Sequence, residues 1–155
     1  MARQVKVITA AEAAALIKNG DTVTTSGFVA SAIPEALDRA VEERFLATGE
    51  PRDITYVYCG SQGNKDGRGA EHFAHEGLLK RYIAGHWATV PALQKMALEN
   101  KMEAYNVSQG ALCHLFRDIA AHRPGCFTKV GLGTFIDPRN GGGKVNDVTK
   151  EDIIE

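Results

Sequence analysis

The N-terminus lacks the long uncharged apolar stretch that a secretory signal or a membrane helix needs. In "MARQVKVITAAEAAALIKNGD", Glu12 and Lys18 interrupt every candidate run. A cytoplasmic protein with no membrane partner is the expectation. Cysteine is scarce: Cys59, Cys113 and Cys126 are three in number, too scattered for a disulfide framework, and no C-x-x-C pair offers a zinc site. Net charge is nearly absent as well, at -1 over 155 residues, so no broad electrostatic case exists for nucleic acid or an anionic membrane. Three common motifs are missing too. Without G-x-G-x-x-G after the first strand or a Walker G-x-x-x-x-G-K-[ST], dinucleotide and P-loop chemistry have no anchor. Ser26, Ser61 and Ser108 lie in no G-x-S-x-G elbow.

What remains is the composition of one ordinary globular domain, 44% hydrophobic and 24% charged. Thr9-Ala-Ala-Glu12 fits a capping box, and an Ala-rich helix follows to about Lys18, where Asn19-Gly20 stops it. Asp21 to Thr25 is the opening strand. Pro34 to about Ala47 reads as a helix, with Ala36, Leu37, Ala40, Val41 and Phe45 apolar against charged Glu35, Asp38, Arg39, Glu42, Glu43 and Arg44. "ITYVYCG" (54–60) is a second strand, and "SQGNKDGRGAEH" (61–72) a mobile polar loop. Further strands are expected at 81–87, 102–107 and 128–134, with helices at about 89–100 and 109–121. Strands separated by such helices imply a parallel sheet with right-handed crossovers.

Ligands of open parallel sheets bind outside the carboxyl ends of the strands. Four features fall there: Ser26-Gly27-Phe28-Val29, Cys59-Gly60-Ser61-Gln62-Gly63, Val107-Ser108-Gln109-Gly110, and Gly131-Leu132-Gly133-Thr134-Phe135. Each holds a glycine where backbone can approach a ligand closely. His72 and His75 share a helix face at i, i+3, but no further clustered ligand completes a metal site, so a solvated or capping role is the expectation. His86 beside Trp87 reads as a core or pocket-wall histidine. Asp137-Pro-Arg139 reads as a turn, with an anion clamp at Arg139 as the sharper alternative. The closing "IDPRNGGGKVNDVTKEDIIE" ends in a charged, helix-like tail without a cap. It is either a surface helix at a true terminus or, the favoured reading, part of a chain that continues.

Three stretches carry a resemblance: "NGDTVTTSGFVASAIPEAL", "GAEHFAHEGLLKRYIAGHWATVPALQKMALENKMEAYNVSQGAL" and, most specific, "AAHRPGCFTKVGLGTFIDPRNGGGKVNDVTKED". The chain resembles the N-terminal portion of a family I coenzyme A transferase, of the acetate/propionate branch in which both halves share one polypeptide. The resemblance implies an α/β fold: an open, mainly parallel sheet with helices on both faces, of the kind shared with ribose-phosphate isomerases, here an incomplete domain spanning 1–155. It implies ping-pong transfer of coenzyme A between short-chain acyl-CoA and a carboxylate, through a glutamyl-CoA thioester. Coenzyme A is then a substrate, and no permanently bound cofactor or metal is expected.

By the same resemblance, Ser26, Gly27, Phe28 and Val29 match the family's Gly-Phe loop, with Ser26 where several relatives carry Gly. Gln109 and Gly110 match its Gln-Gly turn, and Gly131, Gly133 and Thr134 its G-x-G-T floor. The nucleophilic Glu, with most coenzyme A contacts, belongs to a C-terminal half of the same polypeptide. Glu76-Gly77 only looks like its motif and is not assigned the role. A homo-oligomer, dimer or tetramer, is also implied. Two other functions fit the architecture: a metabolite-binding sensor without chemistry, and an isomerase using Lys65, Asp66 or Asp137. A continuation past Glu155 carrying a Glu-x-Gly motif distinguishes the transferase from both.

Overall fold

A computed structural model describes residues 5–155. Helix α1 (Ala10–Ala14) starts on the expected capping box: the Thr9 hydroxyl accepts from Glu12 N–H, and the Glu12 carboxylate accepts from Thr9 N–H at 2.8 Å. It is shorter than the pattern suggests. Arg44 explains why, since its Nη1 donates to the carbonyls of Ala14 and Ile17, both at 2.7 Å, and satisfies groups a longer helix would pair internally.

Four strands follow: β1 (Thr22–Val23), β2 (Ile54–Tyr58), β3 (Leu79–Ala84) and β4 (Glu103–Asn106). They form one all-parallel sheet in the order β1-β2-β3-β4. Helices α2 (Glu35–Thr48), α3 (Pro91–Leu98) and α4 (Gln109–Ala120) alternate with them. Between β2 and β3 the crossover carries only a 3-10 turn, Gly69–Phe73. Gly49 ends α2 with φ 74°, the left-handed C-cap that glycine adopts without steric cost.

Alternation along the strands sorts residues onto two faces. Ile54, Tyr56 and Tyr58 of β2, Tyr82 and Ala84 of β3 and Ala104 of β4 pack with α1, α2, α3 and the 3-10 turn in the main core. Tyr56 lies 4.7 Å from the Phe73 ring and 5.7 Å from that of Tyr82. Buried aliphatic side chains such as Ile54, Leu79 and Leu93 contribute roughly 1.5–3 kcal/mol each. The opposite face is thinner: Val57, Tyr105 and Val107 are covered by Leu112 of α4 and by Ile153 and Ile154. Helices therefore flank both faces.

Several expectations are corrected here. Residues 128–134 form no strand but a run of turns. The tail is no helix: 143–149 runs along the outer edge of β4, with Asn106 N–H on the Gly143 carbonyl at 2.8 Å and Val145 N–H on the Ala104 carbonyl at 2.9 Å. Pairing that edge satisfies backbone groups that would otherwise lie open. Segment 61–72 is not a free loop, because Ser61, Gln62, Gly63, Glu71 and His72 are buried. Glu71 accepts from Ala92 N–H at 2.9 Å and so caps α3, whose own N-cap residue, Val90, has no side-chain acceptor. On α2, Asp38 faces inward at 1% exposure, whereas Ala36 and Leu37 are exposed. β3 ends at Ala84, which leaves His86 exposed beyond the strand.

Candidate functional site

The carboxyl ends of β2, β3 and β4 converge on the first turn of α4. A side chain at Gly85 would collide with the Cys59 carbonyl and would stand 2.8 Å from Gln109 Cα. At Gly60 it would meet the Gln109 amide at 3.4 Å. Gly85 has no room for a Cβ, whereas Gly60 lies in ordinary contact with the Gln109 amide. Gln109 and Gly110 are the first two residues of α4 and are exposed. Ser108 caps the helix by accepting from Ala111 N–H at 3.4 Å. Among the described residues, the N–H groups of Gln109 and Gly110 have no hydrogen-bond acceptor, and a helix N-terminus favours negative charge.

Ser26-Gly27-Phe28-Val29 lies beside the β2 end. Val29 N–H donates to the Ser61 carbonyl at 3.1 Å, and Gly63 N–H donates to the Val29 carbonyl at 2.9 Å. Phe28 and Ser31 exchange two backbone hydrogen bonds, at 2.9 and 2.8 Å, closing a tight turn that leaves the Phe28 ring 60% exposed. The turn needs left-handed backbone at Gly27 (φ 123°), Val29 (53°) and Ala32 (56°). For Val29, with its branched Cβ, that conformation is strained.

Gly131, Gly133 and Thr134 occupy a separate exposed turn. Thr134 N–H donates to the Gly131 carbonyl at 3.0 Å, and Gly133 N–H to Asp137 Oδ2 at 2.7 Å. Among the described residues, no hydrogen bond joins this turn to Ser26–Val29 or to Gln109. Asp137 is the organiser: it also accepts from Arg139 N–H at 3.0 Å and from the Arg139 guanidinium at 2.6 Å. The Arg139 side chain, followed by the Gly133 amide, holds the Asp137 carboxyl well below the usual carboxylate range. Arg139 is thus engaged as part of a turn.

Between α2 and residues 69–75 lies a polar cluster that sequence reasoning missed. His72 is buried between Glu42, 2.6 Å from Nδ1, and Glu35, 3.0 Å from Nε2; His75 Nε2 lies 2.6 Å from the same Glu42. His72 is neither solvated nor capping, while His75 is partly exposed and engaged by Glu42. Burial alone would lower the His72 pKa, but the hydrogen bonds to Glu35 and Glu42 outweigh it and raise it. Glu42 is lowered despite its own burial, through His75 and His72. Asp38 has no hydrogen-bond partner on either oxygen, and burial pushes its carboxyl up to about 7. Burial likewise pushes the Cys59 thiol, which neighbours Cys113, up to about 11 and makes it a poor nucleophile at neutral pH. The helical periodicity of α2 gives no sign of this cluster, since its partners lie 30 or more residues away.

An all-parallel sheet with close glycine approaches, a strained Gly-Phe turn and a helix N-terminus at the carboxyl ends of its strands has the arrangement at which open α/β sheets bind ligands. Residues 7–152 match the family model described as coenzyme A transferase, and the chain belongs to that family. It is 41% identical over 150 residues to caffeate CoA-transferase of Acetobacterium woodii, an alignment covering 97% of this chain and 29% of that protein. It is 39% identical over 154 residues to acetate CoA-transferase YdiF of Escherichia coli K12, covering 98% of this chain and 29% of that protein. Among solved structures it is similar to the thioester complex with CoA of the acyl-CoA transferase YdiF from E. coli O157:H7, with a TM-score of 0.88, 37% identity, and coverage of 96% of this chain and 29% of that one. The chain spans about 29% of the length of these relatives.

No described helix is long and apolar enough to cross a membrane. Among the described residues, no group of three or more His, Cys, Asp or Glu side chains is arranged to hold a metal ion.

Proposed function

We propose that this chain is the N-terminal portion of an acyl-CoA:carboxylate CoA-transferase acting on short-chain acyl groups, and that it forms the acyl side of the pocket. The observation that carries the reading is the convergence of Gly60, Gly85 and Gln109 at the strand ends. Ser26, Gly27, Phe28 and Val29 form one wall, and Gln109, Gly110 and the first turn of α4 another. Gly131, Gly133 and Thr134 supply a floor when further polypeptide packs against their turn. Apolar side chains left exposed in and beside that turn, Phe127, Val130, Leu132 and Phe135, support a covering by the C-terminal half of the same polypeptide. The assembled protein works as a cytoplasmic homo-oligomer.

The chemistry is nucleophilic catalysis in two exchanges. A glutamate carboxylate from the C-terminal half attacks the acyl-CoA carbonyl and expels the coenzyme A thiolate, leaving an acyl-glutamyl anhydride. The thiolate then attacks the glutamyl carbonyl, which releases the first carboxylate and forms glutamyl-CoA. A second carboxylate reverses the sequence. Each step places negative charge on a carbonyl oxygen, and fixed N–H donors in a water-poor pocket stabilise such an oxyanion. The donors this chain offers are the α4 first-turn amides and the Gln109 side-chain amide.

The test uses the full-length polypeptide. Incubation with acetyl-CoA followed by borohydride reduces a glutamyl thioester to an alcohol and releases coenzyme A, so activity is lost; borohydride without acetyl-CoA leaves it intact. Full activity after both treatments would overturn the mechanism.

A further inference from the structure

Gln62 is fully buried, at 0% exposure, directly behind the Gly-Phe turn. Its amide is held at both ends. Oε1 faces Tyr56 Oη at 2.7 Å and Thr25 Oγ1 at 2.5 Å; these two hydroxyls also bond each other at 2.5 Å, so at least one of them donates to the amide oxygen. With the oxygen held there, Nε2 is turned toward the segment that follows β1, where it donates to the Ser26 carbonyl. A Cβ at Gly27 would stand 3.0 Å from that same nitrogen. The backbone on either side of Gln62 is fastened as well, through the Val29–Ser61 and Gly63–Val29 hydrogen bonds. A strained turn with three left-handed residues persists only where its surroundings over-determine it.

We propose that Gln62 is a positioning residue for the acyl wall: by donating to the Ser26 carbonyl while Tyr56 and Thr25 occupy its oxygen, it fixes the backbone of Ser26–Val29. This rests on the CoA-transferase reading for its catalytic consequence, but not for its structural one. A misplacement of about 1 Å at reacting groups costs up to about 100-fold in rate, so Gln62 governs turnover more than binding of the coenzyme A moiety.

Three variants of the full-length polypeptide test it. Gln62→Leu removes the donor; the expected result is a roughly 10- to 100-fold fall in kcat with little change in the KM for acetyl-CoA. Gln62→Glu keeps the shape and the acceptor but sets an anion against the Ser26 carbonyl. A buried carboxyl titrates upward and donates once protonated, and Tyr56 is the titratable side chain in contact with it. Its kcat relative to the unmodified protein therefore recovers as pH falls from about 8 to about 6, while Gln62→Leu shows no recovery. Leu93→Ala, a core truncation on α3, lowers stability without the pH-dependent recovery or the kcat-against-KM split.

Amide exchange gives a readout independent of activity: Val29 N–H exchanges at least about tenfold faster in Gln62→Leu, as expected when its local hydrogen bond opens. Unchanged Val29 exchange, or a Gln62→Glu rate ratio flat with pH, would overturn the proposal. Absence of CoA transfer by the unmodified full-length protein would instead overturn the transferase reading, and the exchange result would still decide the role of Gln62 in holding the turn.

Discussion

Asp38 offers a quantitative test of how this core is built. Its side chain is 1% exposed on the inner face of α2, neither oxygen has a partner, and its carboxyl titrates at about 7 instead of the ordinary 3.8. Burial is the main cause; His72 opposes the shift and Glu35 adds to it, and the Tyr56 hydroxyl senses the same charge. A group whose pKa is raised by folding contributes stability that is complete below its unfolded value and lost as pH rises through its folded value. The unfolded chain ionises Asp38 freely above 3.8, whereas the folded chain resists until about 7. A carboxamide in its place cannot ionise, so Asp38→Asn removes this penalty.

Integrating between the two values, the stability of Asp38→Asn relative to the unmodified chain improves by about 2.5 kcal/mol between about pH 5 and about pH 7.5. The amide carries its own cost of about 1–2 kcal/mol for two buried donors. That cost does not vary with pH, so the change in the difference is the diagnostic quantity. Urea unfolding of both proteins at the two pH values measures it. A difference that stays constant within about 1 kcal/mol would show that Asp38 ionises normally, and the reasoning from burial would fail.

Glu42→Gln weakens the charge-assisted bonds to both His72 and His75 and lowers stability by about 2–4 kcal/mol. Because Glu42 is lowered from 4.5 and His72 raised from 6.5, the deficit in urea unfolding is largest between those values; it shrinks as pH falls through the folded value of Glu42 or rises through that of His72. Gly85→Ala drives a methyl group against the Cys59 carbonyl and Gln109 Cα, so both thermal stability and transfer by the full-length protein fall, with a stability loss of about 1–3 kcal/mol. Phe28→Ala and Gln109→Ala touch exposed side chains, so stability changes by less than about 0.5 kcal/mol while transfer rates in the full-length protein drop. Unchanged kinetics in both would remove these residues from the pocket.

Features whose interactions close within a few residues were legible in the sequence. The Thr9–Glu12 capping box, the strand composition of Ile54–Tyr58 and the placement of Gln109 at a helix start each depend on local propensity or on partners within one turn. The glycine pattern at the strand ends likewise pointed to the edge of the sheet where Gly60 and Gln109 meet, but Gly85, which makes the closest approach there, was not among its residues. The fourth glycine feature shows the limit of local pattern. "TKVGLGT" has strand composition, yet Asp137 accepts from Gly133 N–H and turns the segment, while 143–145 takes the outer edge of β4.

Only the tertiary structure decided that Asp38 is buried within reach of the His72 charge, and that His72 is clamped by two glutamates. It alone turned Gln62 from one polar residue in a loop into the tie between β2 and the Gly-Phe turn. Those outcomes join residues 30 or more positions apart. No local propensity encodes such a distance; packing of α2 and the 3-10 turn against the sheet sets it.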